Sequence, residues 1–365
     1  MSNLPRNYKF NAANVRRFLK ILLIIIPLAV AGNIIYVIIA TEPGILKHLD
    51  NFNGWYLAFA VALVFSPWLA QSSRIFIWGR VFKRNIKPGQ AFKTVLATEI
   101  GAAITPTMLG GSYAKLGFLI GYGFSAAEAT LVTFLGSLVD GVFFAIALPI
   151  SLYWSRAWEN PHVVRAWRGL ISNWQTALIV ITLLLAILFI IKKLNLTLNR
   201  RGPESGKGLP DGFLPRITAY IERFRTDILS AAGFVLRRGK SAFVACVLIA
   251  GIGWCGRYGA ISALIFGLGY PVDPVLFFLL QWVVFTTMTM IPTPGAIGGA
   301  EVSFALIHNG LIPSALIPIA TSAWRFVTFY LTVGLGSLIF SLIRTENANH
   351  EIKRDDALAV EKTTA

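Results

Sequence analysis

Charge is scarce in this chain, and so are the residues on which most chemistry relies. Only 14% of its 365 residues are Asp, Glu, Lys or Arg, against about 25% in soluble domains. Cysteine occurs twice. Cys246 and Cys255 share one apolar segment and would stand about 13 Å apart on a helix, too far for a disulfide. The four histidines, His48, His162, His308 and His350, are scattered. None has metal-ligand spacing, and no Ser/His/Asp or Cys/His set accompanies them. Gly233 and Gly239-Lys240-Ser241 imitate a phosphate loop, but with one residue too many between the glycines and a helical pattern where a strand is needed. No catalytic residue, metal or cofactor is therefore expected, and the chain is expected not to be an enzyme.

What the sequence has in abundance is apolar length. Hydrophobic residues make up 55%, and the mean hydropathy is +0.65. Apolar runs occupy 18–40, 55–78, 91–108, 127–154, 174–191, 240–267, 275–291 and 313–343. Most approach or exceed the 20 or so residues needed to cross a hydrocarbon core about 30 Å thick. The first run follows Arg16, Arg17 and Lys20; it is too long for a signal-peptide core and is expected to be an uncleaved span. The net charge of +16 does not mark a nucleic-acid protein, because most Lys and Arg flank the apolar runs. There they set topology and meet anionic lipid.

Two further stretches, 112–122 and 300–309, are apolar but too short to cross. Each follows a break rich in Pro and Gly: Thr105-Pro106-Thr107-Met108-Leu109-Gly110-Gly111, and Pro292-Thr293-Pro294-Gly295-Ala296-Ile297-Gly298-Gly299. Pro106, Gly110 and Gly111 align with Pro294, Gly298 and Gly299 at an offset of 188 residues. The same offset carries 55–78 onto 243–266, which predicts an internal duplication. If 91–108 and 275–291 crossed fully, the strongly basic stretch 192–240 would lie outside, against the positive-inside rule. Treating each break as the tip of a re-entrant hairpin puts that stretch, both termini and the Arg80/Lys83/Arg84/Lys87 loop inside.

The predicted fold is thus an all-α polytopic membrane protein. It has two halves in an inverted-topology repeat, with about six full spans and two re-entrant helical hairpins. The expected organisation is a cytoplasmic N-terminus (1–17), a first membrane repeat (18–154), and an outer loop with the span opening the second repeat (155–191). A basic cytoplasmic loop follows (192–239), with a basic amphipathic helix over 214–238 that either lies on the inner leaflet or is a cytosolic connector packed on the bundle, then the rest of the second repeat (240–344) and a disordered cytoplasmic tail (345–365). The expected location is the cytoplasmic (inner) membrane, multi-pass, with both termini cytoplasmic.

Ionisable residues within apolar runs need a partner or a role, since each costs about 2.5–3.5 kcal/mol at the bilayer centre. They are Arg74, Glu99, Lys115, Asp140, Arg257, Glu301 and Arg325. Arg74 is expected to snorkel near a membrane edge, and Arg257 to be either deep packing glue or functional. Arg325 maps by the offset onto Ser137, one turn from Asp140, so Asp140 and Arg325 are expected at near-equivalent places across a pseudo-twofold axis, as a structural or a substrate-binding pair. After each Gly-Gly a helix is expected to begin, at Ser112 and at Ala300. Free N–H groups and the positive dipole end there would hold an anion, and glycine permits its close approach. The expected substrate-binding residues are Lys115, Asp140, Glu301 and Arg325. The hairpin tips are Pro106, Gly110, Gly111, Ser112, Pro294, Gly295, Gly298 and Gly299, and Glu99 is the candidate for proton coupling.

The run Pro294-Gly295-Ala296-Ile297-Gly298-Gly299-Ala300-Glu301, with Arg325 in the next span, resembles the second-half pattern of the flippase-like transmembrane region of the lysylphosphatidylglycerol synthase family. Thr105-Pro106, Gly110, Lys115 and Asp140 match its first half more loosely. Two features depart from it: Gly111-Ser112 stands where the family has Gly-Glu, and Gly136 and Ser137 stand where an Arg is expected. Nothing beyond Arg344 is expected to be long enough for a soluble transferase domain. The resemblance implies translocation of a phospholipid, glycolipid or related amphiphile without its modification. The expected partners are anionic or zwitterionic membrane lipids and not nucleic acid, with a homodimer or an envelope-synthase partner left open. Two other classes also stay open: a non-catalytic partner subunit of such a synthase, and a membrane-embedded lipid-modifying enzyme.

The topology is directly testable. In a background without Cys246 and Cys255, a cysteine at Lys207 is expected to react with an impermeant maleimide only from the cytoplasmic face; reaction from outside contradicts the inverted repeat.

Overall fold

The structure, a computed structural model, describes residues 52–105, 109–172, 239–289 and 293–340, with residues 31, 32, 35, 39, 233, 234, 237 and 291. The expected spans at 18–40 and 174–191, the amphipathic helix over 214–238 and the 345–365 tail lie wholly or almost wholly outside the described residues. The chain divides into two compact units, Met1–Ser155 with Lys240–Ala365, and Arg156–Gly239. The second contains α5 (Pro161–Ser172), a helix where the sequence pattern predicted only a loop. Asn160 starts it by accepting the His162 N–H at 3.0 Å, and Pro161 fits the first helical position because its missing N–H costs nothing there.

The first unit is built from helices alone among the described residues: α1 (Gly54–Val81), α2 (Pro88–Ile104), α3 (Leu109–Gly121), α4 (Ala126–Ser155), α6 (Lys240–Gly267), α7 (Pro274–Thr289), α8 (Gly299–His308) and α9 (Ser314–Phe340). Four of them, α1, α4, α6 and α9, are long and apolar enough to cross a membrane. Large apolar side chains such as Leu69, Ile146, Leu248 and Leu306 point outward, as hydrocarbon solvent allows and water does not. This is an all-α membrane protein. The offset of 188 carries α1–α4 onto 242–269, 276–292, 297–309 and 314–343, within a few residues of α6–α9.

Local sequence sets the helix boundaries. Asn53 caps α1 through the Trp55 N–H at 3.0 Å. Ser125 and Glu128 cap α4 reciprocally: Glu128 accepts the Ser125 N–H at 2.8 Å, and Ser125 accepts the Glu128 N–H at 3.2 Å. Asp273 caps α7, with Pro274 at its first position. α2 and α3 have 17 and 13 residues and α7 and α8 have 16 and 10. At 1.5 Å per residue none exceeds about 26 Å, short of a full crossing.

The short helices pair as two antiparallel hairpins. In the first, a side chain on Gly111 would meet the Thr98 carbonyl at 2.8 Å, and one on Gly101 would meet the Gly110 carbonyl at 2.8 Å. These glycines let two helix backbones touch. α3 begins at Leu109, so Gly110 and Gly111 lie inside it and the start expected at Ser112 is corrected; likewise α8 begins at Gly299, not Ala300. The second tip bends through Gly295 (φ 61°) and Gly298 (φ 83°), backbone settings that glycine adopts freely.

The two hairpins enter from opposite ends. The base of the first lies with the end of α1 and the start of α4, where Arg84 donates to both Glu128 oxygens at 2.9–3.0 Å. α6 runs antiparallel along α1: Gly256 packs on Leu63 and Ser66, Gly253 on Pro67 and Ala70, and Gly267 on Phe52 and Tyr56. The Asn53 N–H donates to the Gly267 carbonyl at 3.1 Å. The end of α6, and with it the base of the second hairpin, therefore lies at the start of α1. α1 and α6, which correspond under the offset, thus run head to tail against each other.

The α1/α6 seam gives a direct test. A methyl on Gly256 would collide with Ser66 and stand 2.7 Å from the Leu63 carbonyl, whereas one on Gly141 meets nothing within 4 Å. Gly256→Ala is expected to cost roughly 1–3 kcal/mol as an overpacked site, read as a lower Tm in detergent. Gly141→Ala is expected to be neutral or mildly stabilising, and equal effects from the two would refute this packing.

Candidate functional site

Three ion pairs tie the hairpins and spans together, and each spans two helices. Arg74 on α1 donates to Asp140 on α4 at 2.7 Å and to the Gly136 carbonyl at 2.7 Å. The Trp254 indole on α6 donates to the same Asp140 oxygen at 2.9 Å. Arg257 on α6 donates to Glu99 on α2 at 2.9 Å, and Gln71 donates to that oxygen at 3.2 Å. Arg325 on α9 donates through Nε to Glu301 on α8 at 2.8 Å and through Nη2 to the Gly295 carbonyl at 3.0 Å. With only 1% of its surface exposed, Arg325 also stacks over Phe329, 4.5 Å from the ring centroid.

These pairings correct three expectations. Arg74 does not snorkel; it is buried and bound to Asp140, because the bundle extends around the last turns of α1. Asp140 and Arg325 do not form a pair, for each has a nearer partner of opposite charge on an adjacent helix. The helix starts at the tips are partly occupied by the chain's own side chains rather than left wholly to an outside anion. Glu301 fills the second by accepting the Gly298 N–H at 2.8 Å, where the positive dipole end favours a carboxylate. At the first, the Thr105 hydroxyl accepts the Gly110 N–H at 2.9 Å and donates to the Gly101 carbonyl at 2.8 Å. Pro106 lies outside the described residues, Pro294 opens the second tip, and Ser112 stands exposed one turn into α3.

The hairpin tips meet at a cavity of about 320 Å³. Glu99, Ala102 and Ala103 reach it from the first hairpin, Thr289 and Gly295 from the second, and Arg257, Arg325 and Thr328 from α6 and α9. Its wall carries an aromatic cluster: Phe144 and Trp254 have centroids 4.9 Å apart, Trp254 and Tyr258 5.2 Å, and Tyr258 and Phe285 5.1 Å. Of the four expected substrate residues, Arg325 faces this cavity and Glu301 sits directly behind it. Lys115 and Asp140 line a separate cavity of about 120 Å³. The sequence pattern missed the Arg257–Glu99 pair and the aromatic wall as parts of the site. Trp254, Arg257 and Tyr258, one helical turn in a glycine-rich stretch, were the available signal.

The cavity thus presents both signs of charge, braced by their partners, within an apolar shell. Comparison with known proteins agrees with its membrane setting. Residues 24–336 match the family described as the lysylphosphatidylglycerol synthase TM region, and the chain belongs to that family. It is also similar to a UPF0104 membrane protein of Archaeoglobus fulgidus. The two are 22% identical over 316 residues, covering 83% of this chain and 92% of the relative.

Glu301→Ala is expected to cost about 3–5 kcal/mol, because it strands a buried guanidinium. Glu301→Ala combined with Arg325→Met is expected to recover much of that loss, read as Tm in detergent. A double variant no more stable than the single one would show that the two side chains do not depend on each other.

Proposed function

We propose that this member of the lysylphosphatidylglycerol synthase TM-region family moves a phospholipid or related amphiphile between leaflets, without making or breaking covalent bonds. The observation that carries this reading is the cavity at the meeting of the two hairpin tips, lined by Arg257, Arg325 and Glu99. A zwitterionic or anionic head group matches such a lining. Its phosphate takes the fork-like donors of the guanidiniums, which suit oxyanions. Its amine or hydroxyls meet the carboxylates and Thr328, and the aromatic wall shields them from hydrocarbon. The acyl chains stay in the lipid, so only the polar head has to be rehoused.

Each arginine is already engaged by a carboxylate, so the cavity bears no uncompensated charge when empty. A head-group phosphate exchanges with Glu301 at Arg325 and with Glu99 at Arg257. Glu301 loses little by this, because the Gly298 N–H still holds its second oxygen. Glu99, which holds Arg257 at 2.9 Å, is the residue proposed for proton coupling. Two hairpins entering from opposite ends and meeting at one site form the geometry in which movement of either tip opens the site to one side only. With the basic ends of α1 and α6 facing the cytoplasm, the first hairpin opens inward and the second outward.

Leaflet exchange of fluorescent phospholipids in proteoliposomes tests this. Wild type is expected to exceed protein-free vesicles, and the Glu301→Ala/Arg325→Met variant to fall back to their rate while remaining folded. No exchange by wild type across several head groups, with a pH gradient imposed, contradicts the proposal.

A further inference from the structure

Outside the central cavity, the first half holds a second polar chamber of about 120 Å³. Arg74, Lys115 and Asp140 line it together with Gln71, Thr98, Ser112, Thr133 and Ser137. Two cations face one carboxylate, so the chamber carries a surplus positive charge. Asp140 is spent on Arg74 and Trp254. The Lys115 nitrogen has no hydrogen bond and no ion pair within 4 Å among the described residues, although the Asp140 carboxylate attracts it from farther off. Its nitrogen lies 3.2 Å, and the Arg74 Nη2 3.6 Å, from the point where a Cβ would stand on Gly136. The absence of a side chain there leaves both cations facing the same space. The Thr98 and Thr133 hydroxyls donate to backbone carbonyls one turn back. Those of Ser112 and Ser137 do not, and both residues are exposed, which places the mouth of the chamber between them.

Two cations that share a single carboxylate in an apolar bundle are expensive unless an anion completes them. We propose that this chamber is a second oxyanion-binding site, taking a phosphate-type group between Lys115 and Arg74 with Ser112 and Ser137 as additional donors. Asp140 keeps Arg74 fixed and limits the net charge to what a single oxyanion balances. A narrow gap shares Gln71, Arg74 and Asp140 with this chamber and Trp254 and Arg257 with the central cavity. Gln71 and Trp254 bridge the two through hydrogen bonds to Glu99 and Asp140. The site stands whether or not the chain translocates lipid. If it does, the chamber is a waiting station for the head group beside the central cavity.

Calorimetric titration of the detergent-purified full chain tests the proposal with two probes, inorganic phosphate and dihexanoyl phosphatidic acid. Saturable binding of either, weakened about tenfold or more by Lys115→Gln, retained by Lys115→Arg and unaffected by Glu301→Ala/Arg325→Met, supports it. Binding of the lipid alone assigns the site to a head group, and binding of phosphate alone to a free anion. Absence of binding by either probe, or binding indifferent to Lys115→Gln, overturns it. Binding that disappears only in the Glu301/Arg325 variant also overturns it, and leaves the central-cavity proposal standing.

Discussion

A guanidinium buried in a membrane bundle cannot be left alone, and Arg325 shows what neutralising one demands of the fold. Its charge is met by Glu301, whose other oxygen closes the start of α8, and by the Gly295 carbonyl at the hairpin tip. The tip presents that carbonyl through a bend in which Gly295, Ala296 and Gly298 all take positive φ. One side chain thereby fixes the bend, the helix start and the approach of α9. Arg257 with Glu99 ties α2 to α6, and Arg74 with Asp140 ties α1 to α4. Such pairs add little net stability compared with apolar packing, but a broken one is costly. They specify which helices must meet.

The parts of this architecture legible in the sequence were those written in local chemistry. Pro106 and Gly110-Gly111, like Pro294 and Gly298-Gly299, interrupt apolar runs that are too short to cross, and both breaks became helical hairpins. The offset between them also anticipated the recurring element order, since equal spacing of breaks and spans is a one-dimensional property. Two of the three side-chain pairings were not legible, because their partners lie 66 and 158 residues apart for Arg74–Asp140 and Arg257–Glu99. Arg325 and Asp140 do fall at near-equivalent positions under the offset, but equivalence under a two-fold axis does not imply contact. Gly110 and Gly111 were misjudged for a related reason: glycine serves a phosphate and a neighbouring helix equally well, and only the fold shows which is present. Here it is the Thr98 carbonyl, 2.8 Å from where a Gly111 Cβ would stand.

The site combines these local and distant features. Hairpin tips from opposite ends converge where the aromatic residues of α4, α6 and α7 give way to charge. Braced ion pairs keep that charge tolerable in hydrocarbon, yet each arginine retains N–H groups that an oxyanion can claim. The proposed translocation, in which the site is emptied and refilled from two sides, needs this balance: charges strong enough to draw a head group out of water, with partners ready to take its place on release.

Whether the central cavity lies on the path of the head group is best tested by placing a cysteine at Thr328, on its wall, in a chain lacking Cys246 and Cys255. An impermeant thiol reagent should reach it from either face of a sealed vesicle, and its attachment should stop leaflet exchange. A Thr328 cysteine that reacts from neither face, or one fully modified with exchange unchanged, would contradict the account.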